Sequence, residues 1–137
     1  MDILFISLPS FWGRRYVCVE NYWMITFAQY LSSYGYKVST LDASLKGQNL
    51  HDIQNYVLQV KPKILVYLVS KKNWKVVCQA KRNIIVDINL LLWDDSVTLN
   101  EACSFISEDN HTININLNGL FDLICRDRFK FCVNSKN

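Results

Sequence analysis

Residues 36–69, YKVSTLDASLKGQNLHDIQNYVLQVKPKILVYLV, spell a strand, a helix and a second strand with punctuation at both joints. Val38 to Leu41 is a short β-branched and apolar run. Asn49 stands where a helix cap belongs, and Leu50, Ile53, Val57 and Val60 follow at three- and four-residue spacing on one helical face. Pro62 ends that helix because its ring cannot join the hydrogen-bond ladder. Ile64 to Val69 is continuously apolar, as a strand covered on both faces must be. Strand, crossover helix and strand make a right-handed βαβ unit. The expected fold is therefore α/β: an open, doubly wound, mostly parallel five-stranded sheet in three αβα layers.

Working outward, residues 2–8 (DILFISL) read as a first, central strand. Residues 9–20 form a loop carrying Pro9, Phe11, Trp12, Gly13 and the Arg14–Arg15 pair. A helix is expected from Tyr22 to Tyr34, with Trp23, Phe27, Tyr30, Leu31 and Tyr34 at helical spacing and Gly35 at its C-terminal turn. That spacing makes the aromatic stripe a packing surface rather than a stacking platform. Asn73 to Arg82 reads as a helix and Asn83 to Asn89 as a fourth strand, with Leu90 to Trp93 extending it or packing beneath a loop. Leu99 to Ile106 reads as a short helix capped by Thr98 or Asn100. Thr112 to Leu117 and Phe121 to Cys125 compete for the last strand, and Asn118-Gly119 between them would suit an edge hairpin. A single domain over residues 1–133 is expected, with 134–137 a frayed polar tail.

Composition narrows the class. Of 137 residues half are apolar and 20% charged, which excludes a disordered or fibrous chain. No apolar run approaches the roughly 20 residues that span a bilayer. The start, Met-Asp-Ile-Leu-Phe, opens on an acid and enters a strand directly, so a soluble cytoplasmic protein without a signal peptide is expected. Cys18, Cys78, Cys103, Cys125 and Cys132 show no C-x₂-C pair, so they read as reduced thiols, and neither zinc nor an iron–sulfur cluster is expected. The net charge of +3 is uneven: residues 1–86 hold eleven Lys/Arg against four Asp/Glu, and residues 87–137 four against eight. Lys71, Lys72, Lys75, Lys81 and Arg82 form the sharpest basic segment. A solvated helix face explains it more simply than an anion or nucleic-acid footprint, and the modest overall balance speaks against nucleic acid.

In open α/β sheets ligands sit beyond the carboxyl ends of the strands. Loops 9–20, 42–49, 70–73 and 89–97 would form that edge, offering Ser10, Arg14, Arg15, Glu20, Asp42, Ser44, Ser70, Lys71, Asn89, Asp94 and Asp95. Asp42 ends the second strand, where a dinucleotide fold places its ribose acid. Yet G-x-G-x-x-G and G-K-[ST] are absent, and there are only four glycines. His51 and His111 stand in no ligand or catalytic spacing, and no G-x-S-x-G exists.

Several short elements together resemble the N-terminal cobalamin-binding domain of cobalamin-dependent radical-SAM enzymes. They are Gly35-Tyr36-Lys37-Val38, Leu41-Asp42-Ala43, Lys61-Pro62-Lys63 and, before the family's barrel, Phe121-Asp122-Leu123-Ile124-Cys125-Arg126. The likeness covers residues 1–126 and is clearest over 27–69. It implies a flavodoxin-like, Rossmann-like fold and a free-standing cobalamin carrier or accessory subunit to a radical-SAM enzyme. Loops 9–12, 42–47, 70–73 and 89–94 would line the corrin, which implicates Pro9, Ser10, Phe11, Trp12, Asp42, Ser44, Ser70 and Asn89 as cofactor contacts, with no protein ligand to cobalt. The barrel's C-x₃-C-x₂-C and the cobalt-ligating D-x-H-x-x-G are missing. The glycine pair that lets the nucleotide tail slide between strand and helix is replaced by Asp87-Ile88-Asn89. A domain that kept the fold, lost the cofactor and docks to a protein partner through residues 71–82 is the alternative. The start ILFISLP with Val19-Glu20-Asn21 is also similar to the N-terminal half of two-domain glycosyltransferases. The strand candidates over 112–125 leave dimerisation open.

Overall fold

The computed structural model describes residues 1–9, 22–94, 96–105 and 111–116. They form β1 (Ile3–Ser7), α1 (Tyr22–Ser33), β2 (Val38–Asp42), α2 (Ala43–Lys46), α3 (Leu50–Val60), β3 (Ile64–Val69), α4 (Trp74–Asn83), β4 (Ile88–Trp93), α5 (Leu99–Phe105) and β5 (Thr112–Asn116). The sheet runs β2-β1-β3-β4-β5 and every pairing is parallel. This is the flavodoxin-like order, with the reversal of strand order between β1 and β3.

Alternation along the strands builds a core on each face. Leu4, Ile6, Leu65, Tyr67, Leu91 and Trp93 meet α3, α4 and α5 through Ile53, Val57, Val77, Ala80 and Ala102. Ile3, Phe5, Val66, Leu90 and Leu92 lie on the other face with Met24, Phe27 and Leu31 of α1. The result is the expected three-layer sandwich. Within the aromatic stripe of α1, Phe27 is buried, whereas Tyr34 is exposed and its ring meets Tyr30 edge-on at 5.1 Å.

The joints follow local chemistry. At the head of α3 the Asp52 N–H donates to Asn49 Oδ1 (2.9 Å) and the Asn49 N–H donates to the Asp52 carboxylate (3.1 Å), a reciprocal capping box. Lys61, ahead of Pro62, ends α3 in the left-handed region at φ +49°, and Gly35 takes φ +91° after α1.

One reading is corrected. The fourth strand is Ile88–Trp93, not Asn83–Asn89. Asn83 completes α4, its side-chain amide donating to Gln79 O, and the Ile84 N–H donates to Ala80 O, so the helix takes in Asn83 and the strand begins five residues later than the apolar NIIV run suggested. Thr112–Asn116, within one of the two candidates for the last strand, pairs parallel with β4 as an edge strand. Phe121–Cys125, the Asn118-Gly119 turn and the tail lie outside the described residues.

Candidate functional site

The carboxyl ends of β1, β2 and β3 bring Pro9, Asp42 and Ser70 to one edge. Pro9 is buried two residues beyond β1, Asp42 closes β2 in register with Ser7, and Ser70 follows β3 directly. Ser44 lies on α2 at the same edge, its side chain outside the description. Ser10, Phe11 and Trp12 fall outside the described residues, as do Arg14, Arg15 and Glu20. Asn89 does not belong to the edge: it is the second residue of β4, beside Leu65 and Thr112, and its N–H donates to His111 O at 2.7 Å. Moving the strand by five residues carries Asn89 to the opposite, amino end of the sheet. The residues after β4 are instead Asp94, Asp95 and Ser96.

The group that organises this edge is Asn73, read from the sequence only as the first residue of a helix. It is 8% exposed. Its amide Nδ2 donates to Leu8 O (3.1 Å) and Leu68 O (3.0 Å), and its Oδ1 accepts from the Ser70 N–H (2.8 Å). One side chain thus clasps the ends of β1 and β3 across the reversal point. The loops after β3 and β4 are tied similarly: the Lys71 N–H donates to Ser96 Oγ (3.2 Å), the Asp94 N–H to Val69 O (3.0 Å), and Ser96 bonds the Asp94 carboxylate through both its N–H and its hydroxyl. Lys71 also pairs with Glu101 at 3.7 Å, on the first turn of α5. An asparagine before an apolar helix start was a visible signal; its pointing back to the strands, rather than along the helix, was not.

Beneath the clasp Tyr67 and Trp93 are fully buried. The Trp93 Nε1–H donates to Asn114 Oδ1 (3.1 Å), whereas the Tyr67 hydroxyl has no partner among the described residues. Burial raises the Tyr67 pKa far above its ordinary value. Cys78, half-buried on α4, is likewise pushed up by burial, against the lowering influence of Arg82 and Lys81.

A second feature lies along α3 at the far end of α4. A cleft of about 310 Å³ opens between α3 and the carboxyl end of α4. Val57 and Ile84 lie at its base, and Leu58 and Ile85 stand at its rim 71% and 94% exposed. Gln54 Nε2 donates to Asn83 O across it (3.1 Å), and Asn55 bonds His51 on α3 (3.2 Å). The basic segment identified in the sequence supplies α4, which carries Lys75, Lys81 and Arg82 and no acid.

Among the described residues no three of His, Cys, Asp and Glu gather closely enough to hold a metal ion, and no helix is long and apolar enough to cross a membrane. The fold places the chain among open parallel α/β domains of flavodoxin-like order. No protein family, curated protein or solved structure matches it.

Proposed function

We propose that the chain is a protein-interaction module of flavodoxin-like architecture that docks a partner through the α3–α4 face. The observation that carries this reading is the α3–α4 cleft. Large apolar side chains left mostly in water cost solvation, and single ones are common. Here two of them, Leu58 and Ile85, stand over one concavity with an apolar base. At the switch-point edge, where such folds hold small ligands, several of the described polar groups are engaged with one another. Asn73, Ser70, Ser96 and Asp94 bond the loops to one another.

A corrinoid carrier serving a radical-SAM partner in the cytoplasm is the second reading, favoured by the strand order and by the convergence of Pro9, Asp42 and Ser70. The described residues do not fit a nucleotide tail inserted between sheet and helices. Tyr67 and Trp93 occupy that layer with no exposure, and Asn73 closes the β1–β3 crevice above it. A corrinoid would have to lie over the edge without inserting its tail.

A photo-crosslinking residue at Asn55, on the cleft, tests the docking reading in cells. The expected result is a discrete adduct that is lost with Leu58→Ser or Ile85→Ser and absent when the crosslinker replaces exposed Ser33 on α1. Equal adducts from both positions would refute it. Titration with hydroxocobalamin and methylcobalamin, followed by desalting, tests the second reading: colour retained by the protein supports it, and a colourless protein ends it.

A further inference from the structure

We infer that the α3–α4 cleft receives an acidic amphipathic helix of a partner protein, its apolar side chains entering between Leu58 and Ile85 and its carboxylates facing α4. The inference rests on the docking reading above and names the chemistry of the partner.

Charge complementarity selects the occupant. Between Leu50 and Asp87 the chain has seven Lys/Arg, of which Lys63 pairs with Asp2 and Lys71 with Glu101, against two Asp/Glu. One of those acids, Asp52, is already engaged in the capping box of α3. Lys81 and Arg82 immediately precede the cleft residues Asn83, Ile84 and Ile85, and Lys61 follows Leu58 by one helical turn. A second copy meeting this face about a two-fold axis would bring like charges together, which is costly at an interface. A nucleic acid would match the charge but has nothing to place against two exposed aliphatic side chains over an apolar base. An anionic membrane would match both, yet it offers a fluid plane. The feature here is concave, and the polar side chains around it, His51, Gln54, Asn55 and Asn83, are held in place by bonds within the chain, which gives it a fixed shape. A helix lying between two helices presents anchors at i, i+3/i+4 and i+7, the spacing a groove of this kind accepts.

The test uses the full chain and a fluorescein-labelled synthetic helix with leucines at that spacing and glutamates on its flanks, read by fluorescence anisotropy. A second peptide carries lysine in place of every glutamate. Saturable binding of the acidic peptide is expected, weakened about tenfold by Leu58→Ser or Ile85→Ser. Arg82→Glu should weaken it about fivefold and flatten its salt dependence. All three positions are exposed, so far-ultraviolet circular dichroism should stay unchanged. No binding of the acidic peptide at about millimolar concentration, or equal binding of the basic one, overturns the inference. So does self-association in sedimentation that Ile85→Ser abolishes. Flotation with phosphatidylserine vesicles that depends on Ile85 overturns it in favour of a membrane face. A specific Asn55 crosslink in cells alongside peptides bound without charge preference would leave docking standing and remove only the acidic-helix assignment.

Discussion

Replacing Asn73 by alanine removes a side chain that joins the ends of β1 and β3. Three well-formed hydrogen bonds go with it, to Leu8 O at 3.1 Å, to Leu68 O at 3.0 Å and from the Ser70 N–H at 2.8 Å. Each is worth about 1 kcal/mol net, and a position 8% exposed gives water little access to the carbonyls left behind. The expected cost is therefore about 3 kcal/mol, a large share of the roughly 5–15 kcal/mol by which domains are stable. In urea, with a slope of about 2 kcal/mol/M, the midpoint followed by tryptophan fluorescence should fall by about 1.5 M. Asn73→Leu separates polarity from packing, since it refills the volume and restores no bond; it should remain nearly as unstable as the alanine variant. Asn73→Asp sharpens the test. Its ionised carboxylate would face two carbonyl oxygens, so its pKa in the fold must lie above the unfolded value. Stability is then greatest below the unfolded pKa of about 4 and is lost as pH rises through the folded one, so this variant should sit closer to wild type at pH 4 than at pH 7. A cost below about 1 kcal/mol for Asn73→Ala, or full recovery with leucine, would refute the clasp.

Tyr67→Phe removes a buried hydroxyl that has no partner among the described residues and should stabilise the fold by about 1 kcal/mol in the same urea titration. Because burial raises the phenol's pKa, wild type holds its full stability below the unfolded value of about 10 and loses it as pH rises beyond; Tyr67→Phe should be less sensitive to alkaline unfolding. Asn49→Ala breaks the capping box of α3 and should cost about 1 kcal/mol, read as a lower thermal midpoint. Lys61→Gly relieves a left-handed residue that carries a Cβ and should raise that midpoint by a few degrees, equivalent to about 0.5–1 kcal/mol.

Much of the architecture was legible because its signals are local. Asn49, Gly35 and Pro62 act within one turn of where they stand, and the apolar run Ile64–Val69 is what a doubly covered strand requires. The fourth strand was misplaced because Ile84-Ile85-Val86 and Leu90-Leu91-Leu92 are equally apolar, and only the length of α4 against the sheet decides between them. Asn89 was carried to the wrong end by that shift. Asn73 was missed as an organising residue because its partners are as far as 65 residues away, beyond any periodic pattern. The cleft was illegible for a related reason: Leu58 and Ile85 are 27 positions apart and meet only when α3 and α4 pack side by side. The basic segment was visible, but its apolar neighbour was not.

The two features sit at opposite ends of α4, and this separation makes a further prediction. Asn73 precedes the first residue of the helix and Ile84–Ile85 follow its last. At about 1.5 Å per residue the ten residues of α4 hold them roughly 15 Å apart. Substitutions beyond roughly 7–10 Å with no shared partner add independently. Asn73→Ala should therefore lower the urea midpoint while leaving binding at the cleft unchanged in dilute buffer. Ile85→Ser should do the reverse, and the double variant should show both effects at full size. Were α4 instead a lever that transmits the state of the switch-point edge to the cleft, the double variant would depart from additivity by more than about 0.5 kcal/mol, or Asn73→Ala alone would change peptide affinity. Either outcome would refute a fold whose polar edge holds the sheet together and whose opposite end is free to meet a partner.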